Sequence, residues 1–351
     1  MAKKVFVGMS GGVDSTAAAV LLQEQGYEVE GITLVLHEQN KPEDKSCGSS
    51  DCEDAARMAA LLGIKHHILD FKELFREKVM DYFAETYHKG QTPNPCIACN
   101  RHIKFGAMRE AALSLGGDCI ATGHYACVEE KNGRYYLKKA PSHKDQSYVL
   151  YSLSEEVLSQ TLFPLAAMTK DEVRAILQRK RLPIFSKPDS QDICFIPDRN
   201  YAGFIEEHTG KKVEKGYFTD INGHILGEHK GITHYTVGQR KGLGLSFGTP
   251  MYVQKIDSKT NAVVLCEEGG QLSRILTADA LHFIHPEEMT YPKRITVKHR
   301  YNARPAEGTL TLTENGHGQV EFDELQKAVT PGQAVVFYQG EYVLGGGRIV
   351  S

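Results

Sequence analysis

A short apolar strand, Lys4 to Gly8, runs straight into the turn Gly8-Met-Ser-Gly-Gly-Val-Asp-Ser15 and then into a helical stretch from Thr16 to Gln25 that stops at Gly26. Few folds accept that order. Glycines let the backbone turn tightly and bring N–H groups together, the helix N-terminus adds positive potential, and Ser10 and Ser15 offer hydroxyls, so the turn is an anion cradle. Short apolar strands alternating with helices are the pattern of a parallel sheet covered on both faces. Tyr27 to Leu36, Lys65 to Phe71 and Asp118 to Thr122 read as further strands, with helices from Asp51 to Leu62, Phe71 to His88, Ile103 to Leu115, and from the capping box Thr169/Glu172 to about Arg181. This alternation predicts an α/β, parallel-sheet domain over residues 1–208. A chain of 351 residues exceeds one ordinary core. Past residue 208 the pattern becomes short alternating strands punctuated by Asn222-Gly223 and Asn315-Gly316, which predicts two small, mainly β domains over 209–273 and 274–351.

Composition excludes several classes. With 41% hydrophobic and 24% charged residues the chain is neither disordered nor fibrous. No apolar run reaches the roughly 18 residues that span a bilayer, and Met1-Ala-Lys-Lys leads into no cleavage signal, so a cytoplasmic location without membrane attachment is expected. Forty-one basic against 44 acidic residues leave a net charge of -3, so any nucleic-acid binding must rest on local basic patches. Eight cysteines without a secretion signal read as cytosolic thiols rather than a disulfide scaffold.

No Gly-Lys-[Ser/Thr] follows the loop, and no ribose-binding acid accompanies it, so it is neither a Walker A loop nor a dinucleotide fingerprint. Ser-Gly-Gly-Val-Asp-Ser resembles the pyrophosphate loop of the N-type ATP pyrophosphatases. Those enzymes cleave ATP between the α and β phosphates and transfer AMP to activate a carbonyl; the resemblance implies ATP and Mg2+, with Asp14 helping to hold the metal.

The cysteines carry the second signal. In Thr92-Pro-Asn-Pro-Cys96-Ile-Ala-Cys99-Asn100 the prolines stiffen the approach, and Arg101, His102 and Lys104 follow. Nearby cations favour thiolate, so Cys99 is expected to be reactive. The C-x-x-C spacing alone also fits a redox pair, half of a zinc site completed by Cys47 and Cys52, or a buried turn. Cys194 lies in Ser186-Lys-Pro-Asp-Ser-Gln-Asp-Ile-Cys-Phe195, a polar run that suggests a specific loop, although its apolar neighbours equally suit a core thiol. Cys119 and Cys127 read as core thiols. His66 and His67 alternate on a strand, point to opposite faces and read as structural.

Five separated motifs, taken together, resemble one family. The loop GMSGGVDS, TPNPCIACNRHIKF, ATGHYA at 121–126, KDQSYVLY at 144–151 and SKPDSQDICFI occur in the order and spacing of the bacterial tRNA-specific 2-thiouridylases, and YTVGQRKGLG at 235–244 with YQGEYVLGGG extends the likeness into the β half. The resemblance implies an adenine nucleotide alpha hydrolase-like catalytic domain followed by a central β-rich domain and a C-terminal β-barrel. It implies ATP-dependent 2-thiolation of the wobble uridine, U34, of the tRNAs for Lys, Glu and Gln. By the same likeness Cys99 is the nucleophile and Cys194 the persulfide carrier. Gly8, Met9, Ser10, Gly11, Gly12, Val13, Asp14, Ser15, Leu34 and Gly123 would surround ATP, and Asn94, Pro95 and Cys96 would face the target base. His124, Lys144, Asp145, Gln146, Arg300, Tyr301 and Gln339 would touch tRNA. Many members carry Asp where this chain has Cys96, which makes Cys96 a departure.

Uracil O2 leaves poorly as oxide, so it must first be adenylated, with pyrophosphate departing into the Ser10–Ser15 cradle. Sulfur then attacks C2. A Cys194 persulfide resolved by Cys99, with a Cys99–Cys194 disulfide as product, is one route; the other is a [4Fe-4S] cluster held by Cys96, Cys99 and Cys194 with one open iron. The sulfur donor would be a cysteine desulfurase or a sulfur-relay protein. Phosphate contacts are expected from Lys138, Lys139 and Lys144, from 179–181, from Gln239-Arg240-Lys241 and from Lys293 to Arg304, with Tyr125 as a stacking platform for the extruded base. Two other readings compete: an ATP pyrophosphatase-type ligase activating a small-molecule carbonyl, and a non-catalytic tRNA-binding or sulfur-carrier protein. The first has no use for Cys99 and Cys194; the second has none for an intact phosphate loop.

Overall fold

The computed structural model describes residues 2–351 apart from 38–48, 143, 189–191 and 247. Contacts divide the chain into two units, Met1–Val79 with Cys96–Pro197 and Glu341–Val343, and Met80–Pro95 with Asp198–Gly340 and Leu344–Ser351.

The first unit is built on a parallel sheet. Strands β1 (Lys4–Gly8), β2 (Glu28–Val35), β3 (His66–Asp70) and β4 (Cys119–Ala121), with the later β7 (Thr161–Leu162), lie in the order β3-β2-β1-β4-β7. Val5, Phe6 and Val7 are fully buried, as a central strand covered on both faces requires. Helix α1 (Val13–Glu24) buries Ala17, Ala18, Ala19, Val20 and Leu22 and has almost no polar face; it lies between the sheet and the Lys170–Arg179 helix. That second helix starts with the expected capping box: the Thr169 hydroxyl accepts from Glu172 N at 3.3 Å, and the Glu172 carboxylate accepts from Thr169 N at 2.7 Å. Helix α2 spans Ser49–Leu62.

Two features depart from the sequence reading. Between β4 and β7 the chain forms an antiparallel hairpin, β5 (Ala126–Lys131) and β6 (Arg134–Lys139), turned by Asn132 and Gly133 at φ 54° and 77°. The helix expected from Ile103 starts instead at Pro95, passes through a π-helical stretch, Cys99–Ala107, and continues as Met108–Ser114. Proline suits a first helical turn because its missing N–H has no partner there anyway. Both Cys96 and Cys99 therefore stand on a helix.

In the second unit, Phe83 and Tyr87 of the Tyr82–His88 helix pack edgewise with one another, and Phe83 does so with Tyr201 and Phe204 of the Tyr201–Thr209 helix, which ends on left-handed Gly210. Strands β8 (Gly216–Thr219), β9 (Ile225–His229), β10 (Met251–Asp257) and β11 (Ala262–Glu267) form a small sheet over Phe218, Val253, Val263 and Leu265. The remaining strands are β12 (Leu272–Phe283), β13 (Lys293–Lys298), β14 (Ala306–Leu312), β15 (Gly318–Lys327), β16 (Ala334–Gln339) and β17 (Tyr342–Ile349). They run β12-β15-β14-β13-β16-β17, and β17 pairs back onto β12, closing a barrel around Leu276, Val297, Val320 and Phe337. Among the described residues no helix is long and apolar enough to cross a membrane.

Candidate active site

The strand order reverses between β1 and β4, so the loops leaving their carboxyl ends open a crevice where open α/β sheets bind ligands. The turn after β1 is anchored on β2: Met9 N donates to Ile32 O at 2.7 Å, and the Thr33 hydroxyl donates to Met9 O at 2.7 Å. Gly11 sits at φ +64°, and a Cβ there would fall 2.3 Å from Asp51 O, so only glycine fits. Ser10 and Ser15 bring their hydroxyls to 3.3 Å, and Ser15 Oγ also accepts from Ser10 N at 3.2 Å. Gly12 caps α1 without a side-chain bond, so the first N–H groups of the helix remain available to an anion. Leu34, half-buried near the end of β2, lies on the same sheet edge.

The loop after β4 ties this cradle to the helix that carries Cys99. Gly123 lies against the first turn of α1, where an added Cβ would approach the Asp14 carbonyl carbon to 2.8 Å and Ser15 N to 2.9 Å. His124 bonds Thr122 Oγ1 through Nδ1 at 2.7 Å and rests on Phe105 and Phe163, with ring centroids 5.8 and 6.2 Å away. Burial, and then the Lys104 ammonium, hold this imidazole well below its ordinary pKa, so it stays neutral. Tyr125 turns the other way and donates to Asp14 Oδ1 at 2.9 Å. Three consecutive residues thus contact the phosphate loop, the helix of Cys99 and Asp14.

Cys99 is buried, and its pKa is pushed up to about 11. Desolvation is the main cause; Lys104 opposes it and Cys96 adds to it. This corrects the expectation of a cation-stabilised thiolate. A π-helical turn stacks residue i near i+5, which brings Lys104 toward Cys99, whereas Arg101 and His102 project into solvent. Cys96 is exposed; neighbouring protein still desolvates its thiolate and raises its pKa, but exposure decides its access to reagents. Cys194 is half-buried, and the adjacent Phe195 meets Phe75 edge-on at 5.6 Å. The Lys72–Phe75 turn in turn packs against the Cys99 π-helix. The seven described cysteines form no disulfide with one another. Cys47, the possible zinc partner of Cys52, lies outside the described residues. The one described trio of metal-capable side chains with ligand atoms within 4.8 Å is His285, Glu287 and Glu288 in the second unit, and it includes no cysteine. A [4Fe-4S] cluster would be held by Cys96, Cys99 and Cys194, and its iron would have to displace the proton of the buried Cys99 thiol on binding.

Several expected contact residues turn out to have structural partners. Asp145 accepts from Ala140 N at 2.9 Å and from the Ser147 hydroxyl at 2.8 Å, and Gln146 accepts from Tyr125 N at 2.9 Å. Both shape the turn that leaves Lys144 exposed. Tyr125 is 2% exposed and hydrogen-bonded, so it is no stacking platform. Arg179 and Lys180 pair with Glu24, and Lys138 pairs with Glu129 and Glu341. In the second unit Arg300 reaches Lys327 O, Tyr301 is exposed under the Lys298 ammonium, and Gln339 is exposed at the end of β16. Arg240 lines an open cavity of about 290 Å³ with Leu243, Leu245 and Met251. Asn94 and Pro95 lead into the helix of Cys96. His66 and His67 bond Thr33 and Glu30 respectively, at 2.7 and 2.6 Å, as structural residues do.

The partners of four polar residues of the site are not legible in the sequence. Lys170 donates to Asp14 Oδ1 at 2.6 Å, so a magnesium ion at Asp14 would share that carboxylate with an ammonium. Tyr125 binds the same oxygen, and Lys187 bonds the phosphate loop itself. Asn100, 2% exposed, donates to Val149 O at 3.0 Å while its Oδ1 has no partner. Each acts across more than forty residues of sequence, where no local pattern signals it.

The sheet order, the phosphate loop and the crevice at the strand-order reversal define an ATP pyrophosphatase-type nucleotide-binding α/β domain. Residues 3–198 match the family model described as a tRNA methyl transferase HUP domain; 202–267 match its PRC-barrel domain and 273–349 the aminomethyltransferase β-barrel domain. A tRNA-specific 2-thiouridylase MnmA of Acetivibrio thermocellus is 50% identical over 99% of both chains, and its counterpart in Clostridium kluyveri is 48% identical over 100% of both. The chain belongs to the tRNA-specific 2-thiouridylase family. A solved 4-thiouridine synthetase–RNA complex with bound ATP is 18% identical, with a TM-score of 0.40 over 59% of this chain and 50% of that one.

Proposed function

We propose that the protein is a tRNA-uridine 2-sulfurtransferase that uses ATP to replace O2 of U34 in the tRNAs for Lys, Glu and Gln by sulfur. The observation that carries this reading is the 122–125 loop, which joins the phosphate cradle through Gly123 to the Cys99 helix through His124. A small-molecule ligase would need only the cradle.

In this account uracil O2 attacks the α-phosphorus of ATP, pyrophosphate leaves into the Gly8–Ser15 turn, and C2 carries an adenylate. Magnesium, when bound, would neutralise phosphate charge near Asp14. The terminal sulfur of a Cys194 persulfide attacks C2 and expels AMP, leaving a C2–S–S–Cys194 linkage. Cys99 thiolate then attacks the Cys194 sulfur; the 2-thiouridine departs, a Cys99–Cys194 disulfide forms, and an external thiol reductant restores both thiols. A cysteine desulfurase or sulfur-relay protein recharges Cys194. Neutral His124 donates no net charge and suits a contact with the base or ribose. Exposed Lys144, Tyr301 and Gln339, with Arg300, are the tRNA contacts of this reading, and Asn94 to Cys96 face the base. Its domains are 1–208, 209–273 and 274–351.

The test incubates the protein with MgATP and follows AMP and pyrophosphate. The expected result is cleavage that requires unmodified lysine tRNA. Equal cleavage without RNA would turn the reading toward a small-molecule ligase.

A further inference from the structure

One ammonium group joins three chain segments at the phosphate turn. Lys187 Nζ donates to Gly11 O at 2.8 Å, to Asp51 Oδ1 at 2.6 Å and to Asp54 Oδ2 at 2.7 Å. The two aspartates stand in the opening turns of α2, whose backbone touches Gly11 so closely that no side chain fits between. Behind Lys187, Arg174 holds the carbonyls of Phe185 and Lys187, the latter at 3.0 Å, so the segment bearing the ammonium is fixed to the Lys170–Arg179 helix. Two carboxylates beside an anion cradle would repel a nucleotide triphosphate. A single cation bonded to both halves their net charge, and its third bond engages the Gly11 carbonyl, leaving the loop's N–H groups to face phosphate.

We infer that Lys187 is a positioning residue for ATP, screening Asp51 and Asp54 from the phosphates and bracing the Gly11 turn. This rests on the ATP-dependent reading above, and it assigns to the segment leading into Cys194 a role in the nucleotide step as well as in the sulfur step. Burial works against the ammonium, but its bonds to the two carboxylates prevail and keep it charged.

The test titrates MgATP into the full-length protein by calorimetry, with melting curves to verify folding. Lys187→Gln is expected to weaken MgATP binding at least about tenfold, because two unscreened carboxylates then face the phosphates. Adding Asp51→Asn and Asp54→Asn to that variant is expected to restore the native Kd within about threefold, a recovery that a purely structural tie would not show. Asp51→Asn with Asp54→Asn in the native background keeps the ammonium and is expected to bind at least as tightly as the native chain. It carries the test if Lys187→Gln fails to fold. Native-like binding by folded Lys187→Gln, a triple variant no better than Lys187→Gln, or weaker binding by the double aspartate variant overturns the inference. If the native chain itself binds no MgATP, the functional reading falls instead.

Discussion

Cys99 is expected to react slowly in the free protein, and the size of the effect follows from its surroundings. Burial moves its pKa from an ordinary 9.0 to about 11, a difference of about 2.7 kcal/mol between thiol and thiolate. At pH 8 roughly one Cys99 in a thousand is then thiolate, against about one in ten for an exposed thiol, so alkylation should be on the order of a hundredfold slower. The assay is iodoacetamide labelling of the native protein from pH 7 to 10, with Cys99 followed by peptide mass spectrometry against the same residue in denatured chain. The rate should climb about tenfold per pH unit without a plateau below pH 10. Lys104→Met removes the offsetting cation and should slow labelling further. The same shift has a sign in stability: the contribution is fully present below the unfolded thiol pKa and is lost as pH rises toward 11. Labelling at pH 8 as fast as in denatured chain, or a plateau below pH 9, would refute the assignment of a buried neutral thiol.

Three further outcomes are expected. Gly123→Ala drives a Cβ into backbone atoms of Asp14 and Ser15 at 2.8 and 2.9 Å, so tRNA-dependent ATP cleavage should fall at least about tenfold, read as pyrophosphate release. Glu30→Gln removes a largely buried carboxylate from Lys4 at 2.7 Å and His67 at 2.6 Å and should cost about 3 kcal/mol in urea unfolding. Burial raises the Glu30 pKa, but the bonds from Lys4 and His67 outweigh it and hold the carboxyl below 4.5; its stabilisation is therefore full above that pH and lost on acidification, a loss the Gln variant should not share. Thr169→Ala breaks the capping box and should destabilise by about 1 kcal/mol in the same urea assay.

Local pattern carried the strands and the phosphate turn because both are written in consecutive residues. Val5 to Val7 is an apolar run, and the Gly11-Gly12 pair marks the turn, although the Asp51 carbonyl that excludes any side chain at Gly11 lies forty residues away. Asn222-Gly223 and Asn315-Gly316 were read as hairpin turns, and the structure has strands on both sides of each. The same dipeptide at Asn132-Gly133 turns the β5–β6 hairpin, inside a stretch whose pattern otherwise alternates strands and helices. The π-helical register at Cys99 was not legible. It decides which of the basic side chains after Cys99 acts on the thiol, and only Lys104 does. Lys170 and Lys187 meet their carboxylates 156 and 136 residues away along the chain, so only the fold makes them part of the site. Residue types near a cysteine suggested a thiolate, and burial reversed the sign.

The most direct measurement combines the protein with MgATP, a cysteine desulfurase and cysteine, and unmodified lysine tRNA, and resolves the RNA on an organomercury gel that retards thiolated species. A retarded band is expected in air, and it should disappear without ATP and with Cys99→Ser or Cys194→Ser. A band that survives both cysteine replacements, or one that forms only anaerobically after iron and sulfide are supplied, would contradict the persulfide route. No band under either condition would contradict thiolation itself.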